Sequence, residues 1–260
     1  MLLAIDVGNT NIVLGIYKGD ELLFDWRVSS DKSKTSDEYG LLFRDIFQAS
    51  NIELSSIEDI IISSVVPNLM HSIPAACERY INIKPLVVDH NTDTGIVNKY
   101  YDPMEVGADR LVNAAAGFNK YGGPLIIVDI GTAITFDYIN KDGEYLGGAI
   151  APGIGISSEA LFMKTAKLPK VELEVPNNVI GNTTKKSIQS GFIFGYVGLV
   201  DFIIEAMIKE LDLDIEDVVI LGTGGYSKLI FNNTKYVKKI DHMLTLEGLK
   251  HIYERNKKNR

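Results

Sequence analysis

The chain has 260 residues, a formal net charge of −8, 46% hydrophobic and 23% charged residues, which is globular composition with enough length for two modest domains. No clustered Lys/Arg face is present to hold a nucleic acid, the basic end Lys257-Lys258-Asn259-Arg260 being short, and the single cysteine, Cys77, excludes an internal disulfide and fits a reducing compartment. Asp6 interrupts the N-terminal apolar run with no basic segment before it, and the most hydrophobic long stretch, residues 188–208, carries Gln189, Asp201 and Glu205. The expectation is therefore a cytoplasmic protein without a signal peptide, and a core helix at 188–208 rather than a membrane span.

In chain order, residues 2–7, 12–17 and 21–28 read as three strands, with Lys18-Gly19-Asp20 as the second turn. A helix is predicted over 36–49. Thr35 and Glu38 have capping-box spacing, and Tyr39, Leu42, Phe43 and Ile46 fall on one face. Residues 60–65 form an apolar run of strand length ended by Pro67, a helix follows near 68–80, and a short strand at 86–88. Residues 90–106 are a long polar loop carrying Gly95 and Pro103, a type of segment that is usually functional. It leads into Gly107-Ala108-Asp109-Arg110 and a helix whose apolar side is Leu111, Val112, Ala115 and Phe118. Gly122-Gly123-Pro124 breaks the chain, so the expected domains are 1–121 and 122–260.

The second half restarts the meander with strands at 125–129, 134–139 and 144–149. Helices are predicted near 157–165, 184–211 and 246–254, with a strand at 218–221 that ends in Gly222-Thr223-Gly224-Gly225. Gly191, Gly195 and Gly198 lie along the long helix, and each costs about 0.5–1 kcal/mol relative to Ala unless something packs closely there. A subunit interface would supply that packing.

The halves are copies. Asp6-Val7-Gly8-Asn9-Thr10 returns as Asp129-Ile130-Gly131-Thr132-Ala133, and the same offset of 123 carries Glu21 to Glu144 and Leu23 to Leu146. A period this long means duplicated α/β domains, each a mixed sheet flanked by helices, rather than a solenoid. In each copy a buried strand stops at a carboxylate, then a Gly turn and small polar residues. Asp can bind Mg²⁺ directly or through water, Gly admits a phosphate to the backbone, and Asn and Thr donate to it. No G-x-x-x-x-G-K-[ST] or strand-borne G-x-G-x-x-G occurs, and the four His are scattered. Asp6, Asp109 and Asp129 remain, a set that suits phosphoryl transfer, in which positioning and electrostatics dominate. Asp109 is either a general base or a helix N-cap, and Arg110 either a carboxylate clamp or a surface charge.

The paired D-x-G-[NT] meanders and late G-T-G-G resemble the actin, chaperone-ATPase and sugar-kinase superfamily, with its two ribonuclease H-like domains. Within it, Asp6 to Asn11, Gly107 to Arg110, Asp129 to Ala133, Gly147 to Gly153 and Ile180 to Gly191 closely resemble type III pantothenate kinases over the whole chain. The resemblance implies phosphorylation of pantothenate by ATP, the first step of coenzyme A synthesis, in a homodimer. It implies that Asp6, Val7, Gly8, Asn9, Thr10, Asn11, Ile12 and Val13 form the ATP-phosphate loop, with Asp6 near Mg²⁺ and Thr132 also contacting ATP. It implies Asp109 as base, Tyr101, Gly107, Ala108, Asp109, Arg110 and Thr184 around pantothenate, and K⁺ or NH₄⁺ at Asp129. A transcription accessory factor of the same family and a sugar kinase of the same superfamily are the alternatives. Neither a nucleic acid nor a membrane is expected as a partner.

Overall fold

Alternating apolar residues that stop at a carboxylate generate the first sheet. The computed structural model describes residues 1–259, so Arg260 of the basic tail lies outside the described residues. Strands β1 (Leu2–Val7), β2 (Asn11–Lys18) and β3 (Glu21–Ser29) form an antiparallel meander. Helix α1 (Ser36–Ala49) follows, with Thr35 accepting from the Glu38 amide at 3.3 Å and Glu38 Oε2 accepting from the Thr35 amide at 2.8 Å, the predicted capping box. Strand β4 (Asp59–Ser64) runs parallel to β1, and α2 (Ser72–Ile81) leads to β5 (Leu86–Val87), parallel to β4. The order across this sheet is β3-β2-β1-β4-β5. The loop beyond carries β6 (Val97–Asn98), and α3 (Ala108–Tyr121) closes this part of the chain.

Strand parity sorts the two faces of this sheet. Leu3, Ile5, Val7, Ile12, Leu14, Ile16, Ile60 and Ile62 pack with Tyr39, Phe43 and Phe47 of α1 and with Cys77 of α2 in one core. Asp6, Val13 and Ser63 have the opposite parity and point away from that core.

The second sheet repeats the pattern. Strands β7 (Leu125–Ile130), β8 (Ala133–Ile139) and β9 (Glu144–Pro152) form the meander, followed by α4 (Ile154–Lys164) and α5 (Thr184–Glu210). Then come β10 (Val219–Thr223), α6 (Ser227–Phe231) and β11 (Lys239–Ile240), with sheet order β11-β10-β7-β8-β9. The last helix is α7 (Leu244–Asn256). The fold is thus the expected mixed α/β duplication.

Two findings differ from expectation. The chain divides into one compact unit of Met1–Ala116 plus Leu244 onward and another of Gly117–Met243. The last helix therefore groups with the first sheet and not with residues 122–243. Its buried Leu246, Leu249 and Ile252 cover β1, β2 and β4 on the face opposite α1 and α2, and a Cβ on Gly15 would meet Leu246 at 2.8 Å. Helix α5, expected as a core helix, is a surface helix with one packed stripe. Ile193, Val200, Ile204 and Ile208 are buried in the second core, whereas Phe202 is 70% exposed and Gly191, Gly195 and Gly198 face open space. By length and composition alone α5 could cross a membrane. Its mean hydropathy is high because one apolar face packs inward while others point outward.

The copies also differ in register. Asp6 pairs with Val13 on β2, but Asp129 pairs with Thr135 on β8, an offset of 122. Val13 pairs with Arg27 and Thr135 with Ile150, so the third strands return to an offset of 123. The turn after the carboxylate is one residue shorter in the second copy and the next hairpin one residue longer. The two changes cancel when only residue numbers are compared.

Candidate active site

In the first unit Asp6 to Val13, the residues expected to form the phosphate loop, occupy the end of β1 and the turn into β2. Val7 and Ile12 are buried core side chains, so only their backbone faces this turn. Asn9 and Thr10 are exposed, and Gly8, Asn11 and Val13 half-buried. The Gly8 amide donates to the Asn11 carbonyl at 3.0 Å, and a Cβ on Gly8 would sit 3.1 Å from that oxygen. The turn is therefore tight and presents small polar groups outward. It is pinned on its other side by the Ser30 amide, which donates to the Thr10 carbonyl at 2.9 Å.

Asp6 is the half-buried carboxylate at the base of this turn. Ser63 Oγ, on the neighbouring strand β4, donates to its Oδ1 at 2.7 Å. Burial raises the Asp6 pKa to about 7; the Ser63 hydrogen bond opposes the rise, the Asp109 carboxylate adds to it and Arg27 opposes it. Asp109 and Arg27 therefore both act on Asp6, all three within a single unit. The sequence reading did not single out Ser63 or Arg27. A polar residue at the end of the apolar run 60–65 was the available signal for Ser63, and Arg27 has none beyond its place on the strand.

Asp109 lies in the first turn of α3. Its Oδ1 accepts from the Arg110 amide at 2.8 Å, and a Cβ on Gly107 would meet the same oxygen at 2.6 Å. Glycine at 107 therefore lets the carboxylate fold back over the helix start. Asp109 is thus inside the first turn and not the N-cap, the position before the helix being Gly107, whose carbonyl accepts from the Arg110 and Leu111 amides at 3.1 and 3.4 Å. Arg110 is buried at 8% exposure, and Ala108 is half-buried. Tyr101 is fully exposed, while Tyr100 is half-buried with its amide donating to Asn98 Oδ1 at 3.0 Å. The loop carrying both is tied to α7: Arg255 Nη2 holds the two oxygens of Asp93 at 3.0 and 2.9 Å, and Asn256 Nδ2 donates to the Asp93 carbonyl at 2.8 Å.

In the second unit, Asp129 ends β7 as a half-buried carboxylate, and Thr132 is exposed on the turn. Gly224, at φ +98°, lies so close that a Cβ there would collide with Asp129 Oδ1 and the Ile130 carbonyl. The G-T-G-G segment thus runs against the second carboxylate, which explains why no side chain occupies 224. Thr184 is the exposed first residue of α5, preceded by the capping Thr183, whose Oγ1 accepts from the Lys186 amide at 3.2 Å. It opens onto a groove of about 940 Å³ along α5 that includes Gly191, Gly195 and Phe192.

Among the described residues no three His, Cys, Asp or Glu side chains cluster to hold a metal ion. That donor set still fits a divalent ion carried by a nucleotide, because Mg²⁺ keeps most of its waters and takes one or two carboxylates plus phosphate oxygens. Asp6, with Asp109 acting on it, supplies such a carboxylate.

Comparison with known proteins gives a consistent result. The family model for type III pantothenate kinase matches residues 2–206. A type III pantothenate kinase of Finegoldia magna is 59% identical over 257 residues, covering 99% of this chain and 98% of that protein. One from Citrifermentans bemidjiense is 54% identical, covering 99% and 100%. Among solved structures, the ethanolamine utilization protein EutJ of Carboxydothermus hydrogenoformans has a TM-score of 0.56 at 15% identity, over 96% of this chain and 89% of that one. An inorganic polyphosphate/ATP-glucomannokinase of Arthrobacter sp. strain KM has a TM-score of 0.50 at 14% identity, over 100% and 99%. At those identities the structures speak to fold alone.

Proposed function

The chain belongs to the type III pantothenate kinase family, and on that premise we propose how its residues phosphorylate pantothenate with ATP at the head of coenzyme A synthesis. Asp109 is the general base. It takes the proton of the primary hydroxyl as that oxygen bonds to the γ-phosphorus and the bond to the leaving ADP oxygen breaks. Asp6 to Val13 cradle the phosphates, with Asn9 and Thr10 as side-chain donors and the Gly8 turn admitting the backbone; Thr132 is a further ATP contact. Asp6 is the carboxylate for Mg²⁺, which when bound neutralises phosphate charge and thereby favours attack. Buried Arg110 takes the pantothenate carboxylate, since guanidinium groups suit buried bidentate pairing. Tyr101, Gly107 and Ala108 line the same substrate, and Thr184 reaches it.

Asp129 carries a monovalent cation, K⁺ or NH₄⁺, which lessens repulsion between carboxylates and phosphates. The glycine-lined, open face of α5 supports a homodimer, because a second copy would cover the apolar groove and the exposed Phe202. A soluble cytoplasmic setting accords with this role. The observation that carries the catalytic reading is the placement of Asp109 at a helix start, where its charge also acts on Asp6.

ADP release with ATP, Mg²⁺ and K⁺, with and without pantothenate, tests it. Turnover must depend on pantothenate, fall about 10²–10⁴-fold in Asp109→Asn, and drop when Na⁺ replaces K⁺. Native-like kcat in Asp109→Asn removes the base assignment, and equal rates in Na⁺ remove the cation.

A further inference from the structure

The strand register of the first unit places four side chains in one row across the sheet. Ser63 on β4 pairs with Asp6 on β1, Asp6 with Val13 on β2, and Val13 with Arg27 on β3. Residues directly opposite on neighbouring strands project from the same face. Arg27 therefore stands on the face of Asp6, two strand spacings or about 10 Å away along the backbone. Only Val13 lies between them, and Val13 has no group that competes for a guanidinium. Arg27 is exposed, and its side chain has no ion pair or hydrogen bond among the described residues. Its positive charge reaches Asp6 all the same.

The second copy supplies an internal control. There the row runs Thr223, Asp129, Thr135, Ile150. The carboxylate is kept, but the position of Arg27 is held by an isoleucine that is 64% exposed. The sheet does not need a cation at this point, so the cation in the first copy answers to something outside the sheet. Next to a Gly turn with outward donors and two carboxylates, the group that gains from a planar, permanently charged fork is a phosphate.

We propose that Arg27 contacts the terminal phosphate of ATP beside Asp6 and steadies the charge that develops there during transfer. This rests on the reading of Asp6 to Val13 as the phosphate loop. Arg27 occupies one flank of the transferring group and the base Asp109 serves the hydroxyl.

The test compares Arg27→Ala, Arg27→Lys and Asp6→Asn by steady-state ADP release and by calorimetric titration with ADP and with a non-hydrolysable ATP analogue. In Arg27→Ala, kcat should fall about 100-fold, in the range of a lost charge-stabilising donor. Affinity for the analogue should fall about tenfold with ADP affinity nearly unchanged, and Arg27→Lys should recover part of both losses. The melting temperature should stay within a degree or two, since the side chain is exposed. If Asp6→Asn is inactive while Arg27→Ala turns over like the native protein, Arg27 has no such role and the loop reading stands. If Arg27→Ala weakens ADP and the analogue equally, the contact is not to the terminal phosphate and the proposal fails. Native-like turnover in Asp6→Asn removes the phosphate-loop reading and this proposal with it.

Discussion

The first and second halves of the molecule share a frame and diverge in what the frame holds. Each ends a central strand at a half-buried carboxylate, Asp6 or Asp129, followed by a Gly turn. Around Asp6 the neighbours are a donating serine, an acidic helix start and an arginine. Around Asp129 they are threonines, an exposed isoleucine and a glycine pressed against the carboxylate. The two carboxylates are placed alike, and the side chains beside them differ. A charged, donor-rich setting suits a phosphate under transfer, whereas a close-packed backbone setting suits a fixed ion.

The sharpest way to break that comparison is to neutralise each carboxylate in turn. Asp6→Asn should lower kcat by about 10²–10³-fold, the size of a lost electrostatic contact at the reacting group. Asp129→Asn should lower it by about tenfold, or ~1.4 kcal/mol of barrier, and should abolish the difference between K⁺ and Na⁺ buffers. Equal losses, or a cation preference that survives Asp129→Asn, would mean that the two positions are not specialised.

A stability contrast comes next. Gly224→Ala places a Cβ against Asp129 Oδ1 at a φ of +98° and should cost about 1–3 kcal/mol, as overpacking does. Gly131→Ala puts its Cβ 3.5 Å from the same oxygen, an ordinary contact, and should stay within about 0.5 kcal/mol. Urea unfolding of both variants would reveal whether Gly224 is the constrained member of the pair.

The smallest effect is on pH dependence. The Asp6 pKa is raised in the folded protein to about 7 from a reference near 3.8. Folded Asp6 thus binds a proton more tightly than unfolded Asp6, so its contribution to stability is complete below pH 4 and lost as pH rises through 7. Asp6→Asn lacks this loss. Its melting temperature relative to the native protein should climb by a few degrees between pH 4 and 8, measured without nucleotide. A flat difference across that range would contradict the raised pKa.

Much of this was legible in the residues. Apolar alternation that ends at Asp6 and Asp129 announces strands and their open ends together, and the Thr35–Glu38 pair marks a helix start on its own. The register change between copies was not legible, because a shorter turn and a longer hairpin offset each other by one residue. Helix α5 misled for a physical reason: an apolar helix with one packed stripe and one open stripe has the composition of a fully buried one. Arg27 passed unnoticed because an arginine on a strand ordinarily means a solvated face, and its partners come from strand pairing that residue order does not display. Helix α7 has a clear apolar stripe, yet periodicity does not say which of two similar sheets that stripe covers.

That last point governs how the molecule can be made. The unit that holds Asp6, Arg27 and Asp109 takes its underside from Leu246, Leu249 and Ile252, and a Cβ on Gly248 would collide with the Val112 carbonyl of α3, so this helix seats directly on α3. Those residues come after residues 117–243 in the chain. While residues 117–243 are being translated, the first sheet waits with one apolar face uncovered, exposed to whatever would bind it. A chain clipped before Leu244 should therefore leave that face of the first sheet uncovered, which binding of a hydrophobic dye would report. The unit that holds Asp6 and Asp109 is finished only when α7 arrives, so its folding joins residues from both sides of 117–243.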